Sequence, residues 1–311
     1  MVRRKIMGFM DKLRDASIYY SFDKSGFERH SKSFSETLQF DPEAVAVVTG
    51  GTSGIGLSAA QFMAEQGVQV TVTGRNTKKG KAIESDHLKF QQLDMADWKQ
   101  VIEFAEKQHE IKYLLLNAGG MPAEYKTNEQ GYEMQCASQL FGHYLLMRRL
   151  SELGKISSDS RVVWMSSGGM YLKPLDLSMF RNDNQDYDKV ATYANVKRAQ
   201  VVGLSLWAEE FPKIPIYGTH PGWVETPGVE EAIPGFFKKM QGRLRTPYQG
   251  ADTALWLLST GQELQSGEFY FDRKKVKKDF FWFTKTAESK AQDLQRHLSV
   301  AYDTVESGEK L

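Results

Sequence analysis

The sequence predicts an α/β fold: a single doubly wound parallel sheet of about seven strands, with helices on both faces. Short apolar runs alternate with helical segments, a glycine-rich turn follows the first apolar run, and polar motifs follow several later runs. The 311 residues suffice for one large domain. We place this domain at residues 43–272, between a leader at 1–42 and an extension at 273–311.

The predicted elements alternate in order along the chain. The strands are short apolar or alternating runs at residues 45–48, 68–73, 90–93, 113–116, 161–165, 214–217 and 268–271. The helices are predicted at residues 57–66, 101–108, 132–150, from near Tyr193 to Phe211, at 251–259 and, in the extension, at 286–305. This alternation indicates parallel strands joined by helical crossovers.

The two ends of the chain lie outside this alternation. In the leader, helical spacing of apolar residues predicts a helix that lies on the domain or on a membrane, broken at Asp41-Pro42. In the extension, the basic run 273–278 precedes the aromatic run 280–283. Such a segment either contacts an anionic membrane or folds back over the domain with its lysines in solvent, and we prefer the second arrangement. The terminal helix is a candidate contact for a homo-oligomer or larger complex.

Composition excludes several classes of function. The chain has 40 basic and 39 acidic residues, so no nucleic-acid partner is expected. It has one cysteine, Cys136, which excludes an internal disulfide, and no His/Cys cluster with metal-ligand spacing. No apolar run approaches a membrane span, and no secretory signal is evident. Asp11 and Asp15 argue against a mitochondrial presequence. An intracellular, cytoplasmic location is therefore preferred, with mitochondrial and membrane-peripheral locations as alternatives.

The turn after the first strand is the first motif with chemical meaning. It reads Thr49-Gly50-Gly51-Thr52-Ser53-Gly54-Ile55-Gly56 and leads into a helix. Glycines there let the backbone approach a pyrophosphate, which the helix N-terminus attracts. The alternative is an ordinary glycine-rich turn, but the flanking strand and helix favour a Rossmann-type dinucleotide site. We predict cofactor contacts at Gly50, Thr52, Ser53, Gly54, Ile55 and Gly56.

The end of the second strand bears on cofactor choice. NAD sites usually place an acidic residue there for the ribose hydroxyls, whereas this chain has Arg75 and Asn76. Because a guanidinium can pair with a 2′-phosphate, NADP(H) is favoured over NAD(H) as the cofactor. The alternative is a loop arginine that faces solvent.

Tyr193 and Lys197 are four residues apart and therefore share one face of a predicted helix. A lysine charge in that position stabilises the tyrosine phenolate and lowers the pKa of the tyrosine. Such a tyrosine can act as a general acid or base. The spacing alone is common, so its meaning depends on the surrounding motifs.

Taken in order, these motifs resemble the classical short-chain dehydrogenase/reductase family over residues 43–272. The family's remaining motifs match Asn117-Ala118-Gly119, Ser167, and Pro221-Gly222-Trp223-Val224-Glu225-Thr226, and its adenine-contacting acid matches Asp94. The resemblance implies a carbonyl–hydroxyl oxidoreductase with Ser167, Tyr193 and Lys197 as catalytic residues, Lys197 also holding the nicotinamide ribose. It implies further cofactor contacts at Asp94, Met95, Asn117, Ala118, Gly119, Tyr193, Lys197, Pro221, Gly222, Val224 and Thr226. A narrower likeness to one subgroup rests on residues 24–28, 166–170, 220–223, 226–229, 249–253 and 271–274.

One position departs from the family pattern. Gln139 stands where the family usually has an asparagine, whose backbone carbonyl places a water in a proton relay to the lysine. A glutamine can keep that backbone role, but its longer side chain is expected to lock the local helix kink less well. We therefore count Gln139 with the catalytic residues and keep an alternative function: a catalytically silent NADP-binding subunit of a larger assembly.

The substrate is expected to be a lipophilic small molecule. Aromatic and sulfur-containing residues, namely Met170, Tyr171, Trp223, Phe236 and Phe237, fall in stretches that usually line the substrate pocket of the family. Residues 230–245 are a candidate lid. The alternative is that any one of these side chains packs the lid against the core.

Overall fold

The centre of the molecule is an eight-stranded sheet in the computed structural model, which describes residues 17–181 and 187–308. In chain order the strands are β1 (Val45–Val48), β2 (Gln69–Gly74), β3 (Leu88–Gln92), β4 (Tyr113–Leu116), β5 (Arg161–Met165), β6 (Ile216–Thr219), β7 (Phe269–Phe271) and β8 (Lys274–Lys275). They lie in the order β3-β2-β1-β4-β5-β6-β7-β8, parallel except for β8. The predicted doubly wound sheet is confirmed, with one strand more.

Helices cover both faces of the sheet. In chain order they are α1 (Ile18–Ser21), α2 (Lys24–His30), α3 (Gly54–Ala64), α4 (Thr77–Lys81), α5 (Trp98–Lys107), α6 (Met134–Cys136), α7 (Gly142–Glu152), α8 (Lys189–Glu210), α9 (Pro227–Ala232), α10 (Pro234–Lys239), α11 (Pro247–Ser259) and α12 (Glu288–Ser307). Side chains of α5, α7, α8 and α12 form the core on one face. Those of α3 and α11 form the core on the other.

Two helices, α8 and α11, begin earlier than the apolar pattern predicts, because a polar residue caps each of them. Asp188 accepts hydrogen bonds from the amides of Val190 and Ala191, so α8 begins at Lys189, one turn before Tyr193. Thr246 and Gln249 form a reciprocal capping box, and α11 therefore begins at Pro247 instead of residue 251. The helix predicted at 132–150 is interrupted by a π-helical turn at Ala137–Phe141.

The eighth strand is half of a tight hairpin. Its turn residues, Asp272 and Arg273, have φ values of 46° and 58°, although neither is glycine. Two residues at positive φ match the twist of a two-residue hairpin but are unfavourable for side chains other than Gly, Asn and Asp. Asp272 is ion-paired with Arg245, and Arg273 with Asp252, in both cases at 2.6 Å. These buried pairs hold the turn.

The described part of the leader is built into the domain. The guanidinium of Arg245 donates to the carbonyl oxygens of Ser21, Phe22 and Asp23 at 2.8–3.2 Å. The same guanidinium pairs with Asp272, which also contacts Nδ1 of His30 at 2.6 Å. Burial raises the pKa of Asp272, but Arg245 and His30 outweigh it and hold this pKa below its ordinary value. Most of the predicted leader helix lies outside the described residues.

The segment after β8 is fixed by its backbone. The hydroxyl of Tyr171 donates to the Lys277 carbonyl oxygen at 2.8 Å, and Arg198 donates to that of Lys278 at 2.6 Å and pairs with Asp279. The side chains at 280–283 are nevertheless exposed, so the preferred prediction that they fold back over the domain is wrong. Helix α12 buries its apolar face on α8. No helix in the described ranges is both long and apolar enough to cross a membrane.

Candidate active site

The predicted motifs meet where the strand order reverses. Strand β1 lies between β2 and β4. After β1 the chain adds strands on one side of it, and from β4 onward it adds strands on the opposite side. The loops after β1 and β4 diverge at this point and leave a crevice at the carboxyl edge of the sheet. Residues 49–56, 117–119, 167–169 and 221–226 all follow strands of this edge. The sheet therefore gathers in one crevice motifs that are distant in the sequence.

The glycine turn fits against its neighbours only because it lacks side chains. Gly50 has φ 65°, and a Cβ there would lie 2.6 Å from Cα of Ala118. A Cβ on Gly54 would lie 3.1 Å from the Thr226 methyl group, and one on Gly56 would lie 2.5 Å from Nδ2 of Asn117. Predicted cofactor residues from three separate motifs are thus in direct contact.

Asn117 braces this turn. Its side-chain Nδ2 donates to the carbonyl oxygens of Thr49 at 3.1 Å and Gly50 at 3.2 Å, and its amide donates to the Thr49 hydroxyl at 2.8 Å. Ser53 precedes helix α3 without a side-chain cap. The first-turn amides and the open backbone of the turn therefore suit a pyrophosphate.

A cavity of about 420 Å³ lies beside the glycine turn. Its lining residues are Thr52, Ser53, Arg75, Asn76 and Lys79. Asn76 caps the short helix α4 through the amide of Lys79 at 2.9 Å, which fixes where that helix begins. The sequence did not predict α4 and so missed Lys79. Arg75 and Lys79 give the cavity two exposed cationic side chains, as a phosphate group requires.

Asp94 and Met95 follow β3, outside the cluster around the glycine turn. The carboxylate of Asp94 accepts from the amide of Ala96 at 3.0 Å and is partly exposed. Met95 is buried, and its carbonyl oxygen occupies the space that a side chain at Gly142 would need. Their predicted cofactor role remains a prediction.

Ser167 and Tyr193 lie side by side, since a Cβ on Gly169 would be 3.7 Å from Oγ of Ser167 and 3.9 Å from Cδ1 of Tyr193. Ser167 follows β5, and its hydroxyl accepts from the amide of Gly169 at 3.2 Å, which starts the 3-10 helix Gly168–Tyr171. Tyr193 lies in the second turn of α8. Burial raises the pKa of Tyr193 and the nearby Ser167 hydroxyl lowers it, leaving this pKa above its ordinary value of 10.0.

Lys197 lies against the ring of Tyr193, with its Nζ 5.3 Å from the ring centroid. Its Nζ donates to the Met165 carbonyl oxygen at 3.1 Å, and its side chain is 3% exposed. Burial lowers the pKa of Lys197 to about 7. The prediction that Lys197 lowers the pKa of Tyr193 therefore does not hold for the chain alone, where burial dominates both groups.

Lys197 should make stability depend on pH. The pKa of Lys197 is about 7 in the folded chain against an ordinary 10.5, so between these values the unfolded chain binds more protons. The destabilisation caused by burying this group is therefore relieved as pH rises from about 7 toward 10.5. We expect the free energy of unfolding of the wild type to rise relative to Lys197→Met across that window, measured by urea unfolding at fixed salt without cofactor.

The matched control for that measurement is Lys99→Met, which removes an exposed lysine. Its difference from the wild type should stay constant between pH 7 and pH 10. A constant difference for Lys197→Met as well would contradict the lowered pKa of Lys197.

Gln139 occupies the π-helical turn, and its carbonyl oxygen is already bound. That oxygen accepts from Nε2 of Gln200 at 2.7 Å and from Nδ1 of His143 at 3.0 Å. The side chain of Gln139 donates to the Gly120 carbonyl oxygen at 2.7 Å. These three bonds link the kink to its neighbours, and the expected looser lock by glutamine stays a prediction. The oxygen that the family resemblance assigns to a water is here occupied by two side chains.

His143 links this turn to the glycine motif. Its Nε2 lies 2.8 Å from the Thr49 hydroxyl. Burial and the nearby charge of Lys197 lower the pKa of His143 to about 3, so the ring is neutral, donating from Nδ1 and accepting at Nε2. Sequence reasoning missed both Gln200 and His143. The only available signals were the Gly142-His143 pair and the placement of Gln200 one helical turn after Lys197.

The leader supplies part of the wall near Ser167, which the sequence did not indicate. Phe22 packs on His220 with ring centroids 4.5 Å apart and fills the space beside Gly168. The amide of Trp223 donates to the Phe22 carbonyl oxygen at 2.8 Å. Gly222, at φ 74°, has no room for a side chain because Arg245 and the Phe22 carbonyl oxygen lie against it. The Pro-Gly motif is thus shaped by the leader.

Of the residues expected to line the substrate pocket, some are partly exposed and others are fully buried. Trp223 contacts Tyr19 at 5.7 Å and Phe236 at 5.4 Å between ring centroids, forming a partly exposed aromatic wall. Met170 and Tyr171 are 0% and 1% exposed beneath the segment that follows β8. Met170 and Tyr171 therefore pack the core, as the alternative to a pocket lining predicted. The candidate lid contains the end of α9 and all of α10.

Comparison with known proteins identifies the family of the chain. The short chain dehydrogenase family model matches residues 44–177. The chain belongs to the short-chain dehydrogenase/reductase family, and it is an NAD(P)-dependent oxidoreductase of hydroxyl and carbonyl groups. Among individual proteins it is 35% identical over 288 residues to Dehydrogenase/reductase SDR family member 12 of Homo sapiens, covering 88% of this chain and 89% of the relative.

More distant relatives have named alcohol substrates. Retinol dehydrogenase 11 of Homo sapiens is 29% identical, with 74% of this chain and 78% of the relative covered. Polyprenol dehydrogenase of Homo sapiens is 29% identical, with 76% and 79% covered. A crystal structure of an uncharacterised protein from Mycobacterium paratuberculosis aligns with a TM-score of 0.68 at 23% identity, covering 84% of this chain and 95% of that one. It supports the fold alone.

Proposed function

We propose that the protein is an NADP-dependent oxidoreductase that interconverts a carbonyl and a hydroxyl group on a lipophilic small molecule, with Tyr193 as the general acid and base. The observation that carries the proposal is the placement of Ser167 beside Tyr193, with Nζ of Lys197 5.3 Å from the tyrosine ring, at the same sheet edge as the glycine turn. A proton donor, an orienting hydroxyl and a cation are the groups that carbonyl reduction needs.

In the proposed mechanism the nicotinamide, when bound, supplies the hydride to the carbonyl carbon or accepts it in the reverse direction. Tyr193 donates its phenolic proton to the carbonyl oxygen, and Ser167 donates a hydrogen bond that orients this oxygen. The product is the alcohol, and the phenolate left on Tyr193 is stabilised by protonated Lys197. In alcohol oxidation the same phenolate accepts the hydroxyl proton.

The lining of the 420 Å³ cavity supports NADP as the cofactor. Arg75→Glu and Lys79→Glu should each raise the Kd of NADPH about tenfold or more, since each removes a charge-assisted contact to the 2′-phosphate. NADH should lose much less affinity because it lacks that phosphate. Fluorescence titration of both cofactors measures the difference, and Lys81→Glu, an exposed position on α4 outside the cavity, is the control. Equal losses for NADPH and NADH would contradict the preference.

The aromatic wall of Tyr19, Trp223 and Phe236 supports a lipophilic substrate. The relatives named retinol dehydrogenase and polyprenol dehydrogenase are named for long apolar alcohols. The proposed function is tested with a panel of apolar and polar aldehydes, ketones and alcohols, following NADPH oxidation or NADP reduction. Turnover of apolar members, lost in Tyr193→Phe, supports it; binding of NADPH without turnover of any member opposes it.

A second function is favoured by one observation: Gln200 and His143 occupy the carbonyl oxygen of Gln139. If no water can bind there, the proton relay that replenishes Tyr193 through Lys197 is interrupted. The chain would then bind NADP as a catalytically silent subunit of a larger assembly. The substrate panel separates the two functions, since a silent subunit binds cofactor and is unaffected by Tyr193→Phe.

A further inference from the structure

A run of four aromatic side chains points away from the described part of the molecule. In this aromatic tip, residues 280–283, the exposed fractions are 57% for Phe280, 43% for Phe281, 85% for Trp282 and 38% for Phe283. Single apolar side chains on a protein surface are ordinary, but a contiguous aromatic group usually marks a contact surface. The tip is therefore a candidate interaction site.

The tip is held in place by its backbone. Before it, Arg198 binds the Lys278 carbonyl oxygen and the Asp279 carboxylate, and this arginine is itself 2% exposed. After it, Thr284 is fully buried and its hydroxyl donates to the Phe281 carbonyl oxygen at 2.7 Å. The rings of Phe281 and Phe283 stack 5.2 Å apart on one another. The side chains are thus presented outward from a fixed loop.

The charge around the tip is positive. Residues 273–285 contain six basic residues and one acidic residue, Asp279, which is paired with Arg198. Two of the basic residues, Arg273 and Lys275, are paired with acids outside this segment. Lys274, Lys277 and Lys285 are exposed and form no ion pair within residues 17–181 and 187–308. A protruding tryptophan and phenylalanines with lysines beside them fit the interface of a bilayer, where rings enter the acyl boundary and ammonium groups meet anionic headgroups.

We propose that the aromatic tip and these lysines dock the protein on an anionic lipid bilayer. The tip lies next to the candidate active site, since the ring of Phe280 is 4.7 Å from that of Tyr171, in the 3-10 helix after Ser167. Docking therefore brings that side of the site to the membrane. The contact itself does not depend on the proposed catalytic function.

The test uses the full chain and flotation with vesicles of phosphatidylcholine, with and without about one third phosphatidylserine. We expect binding to the anionic vesicles that weakens with added salt. Trp282→Ser/Phe283→Ser and Lys274→Glu/Lys277→Glu should each weaken it at least about tenfold. The matched control for the aromatic variant is Tyr248→Ser, which changes an exposed aromatic residue on α11. The matched control for the lysine variant is Lys99→Glu/Lys107→Glu, which changes two exposed lysines of α5. Both controls should bind like the wild type.

Quenching by brominated lipid identifies the contacting residue. The wild type should lose more fluorescence than Trp282→Phe, because Trp282 enters the bilayer. Absence of flotation with anionic vesicles overturns the proposal. Flotation that is unchanged in both Trp282→Ser/Phe283→Ser and Lys274→Glu/Lys277→Glu also overturns the proposal. Equal quenching in the wild type and Trp282→Phe overturns it as well. Either result assigns the membrane contact elsewhere, for example to residues 1–16. A third result also overturns the proposal: the protein sediments as a dimer, Trp282→Ser/Phe283→Ser dissociates that dimer, and vesicle binding is unchanged. The tip would then be an interface between two copies of the chain.

Discussion

Replacing Tyr193 with phenylalanine is expected to lower kcat/KM for carbonyl reduction by about 10²–10⁴-fold, the usual contribution of a general acid. The substitution removes the phenolic hydroxyl with its transferable proton while keeping the ring beside Lys197. Fold and cofactor affinity should therefore persist. The measurement is initial-rate kinetics with NADPH and an apolar carbonyl, together with NADPH titration of the same preparation.

The matched control is Tyr248→Phe, which removes an exposed hydroxyl far along the chain on α11 and should leave the rate unchanged. An unchanged rate for Tyr193→Phe with an active wild type would assign the proton to another group. No turnover by either protein, with NADPH still bound, would favour the silent subunit.

Replacing Arg245 with methionine should destabilise the fold by about 3–5 kcal/mol, the cost of breaking a buried ion pair by removing one partner. Arg245 is 1% exposed, and its loss leaves the Asp272 carboxylate, 2% exposed, with the His30 ring as its remaining side-chain hydrogen-bond partner among the described residues. Three leader carbonyl oxygens also lose the hydrogen bond that Arg245 donates to them. Urea unfolding followed by circular dichroism measures the change.

An exposed ion pair gives the comparison for Arg245. Arg296→Met breaks the pair with Asp293, in which the arginine side chain is 71% exposed, and should cost less than about 1 kcal/mol. Arg245→Met/Asp272→Asn should recover part of the loss, because the second change removes the unpaired charge. A loss for Arg245→Met no larger than that of Arg296→Met would contradict a stabilising role for the buried pair.

The sequence predicted best the elements whose residues are buried together. The predicted bounds of β1, β4 and β5 match the structure, because each contains a continuous apolar run of four residues followed directly by a polar residue. The starts of α8 and α11 came out late, since their caps, Asp188 and Thr246, are polar and lie outside the apolar pattern. Strand β8 consists of two exposed lysines and has no apolar signal.

Tertiary contacts account for what the sequence missed in the candidate site. Each predicted motif residue could be located from its place after a strand, because parallel strands end at one edge. Gln200 gave no such signal, since its role depends on the carbonyl oxygen of Gln139, which is 61 residues earlier in the chain. The exposure of residues 280–283 was also unpredictable, because it follows from how Arg198 and Thr284 fix the backbone.

The contacts of the leader also bear on when the protein can fold during its synthesis. Phe22 and Arg245 are 223 residues apart in the chain, and His30 and Asp272 are 242 residues apart. The segment around Phe22 and His30 therefore leaves the ribosome well before Arg245 and Asp272, and it waits for them before it reaches its partners. Contacts of such separation slow folding and leave early segments exposed, so a chain stalled before Arg245 would present Phe22 and Phe27 to chaperones.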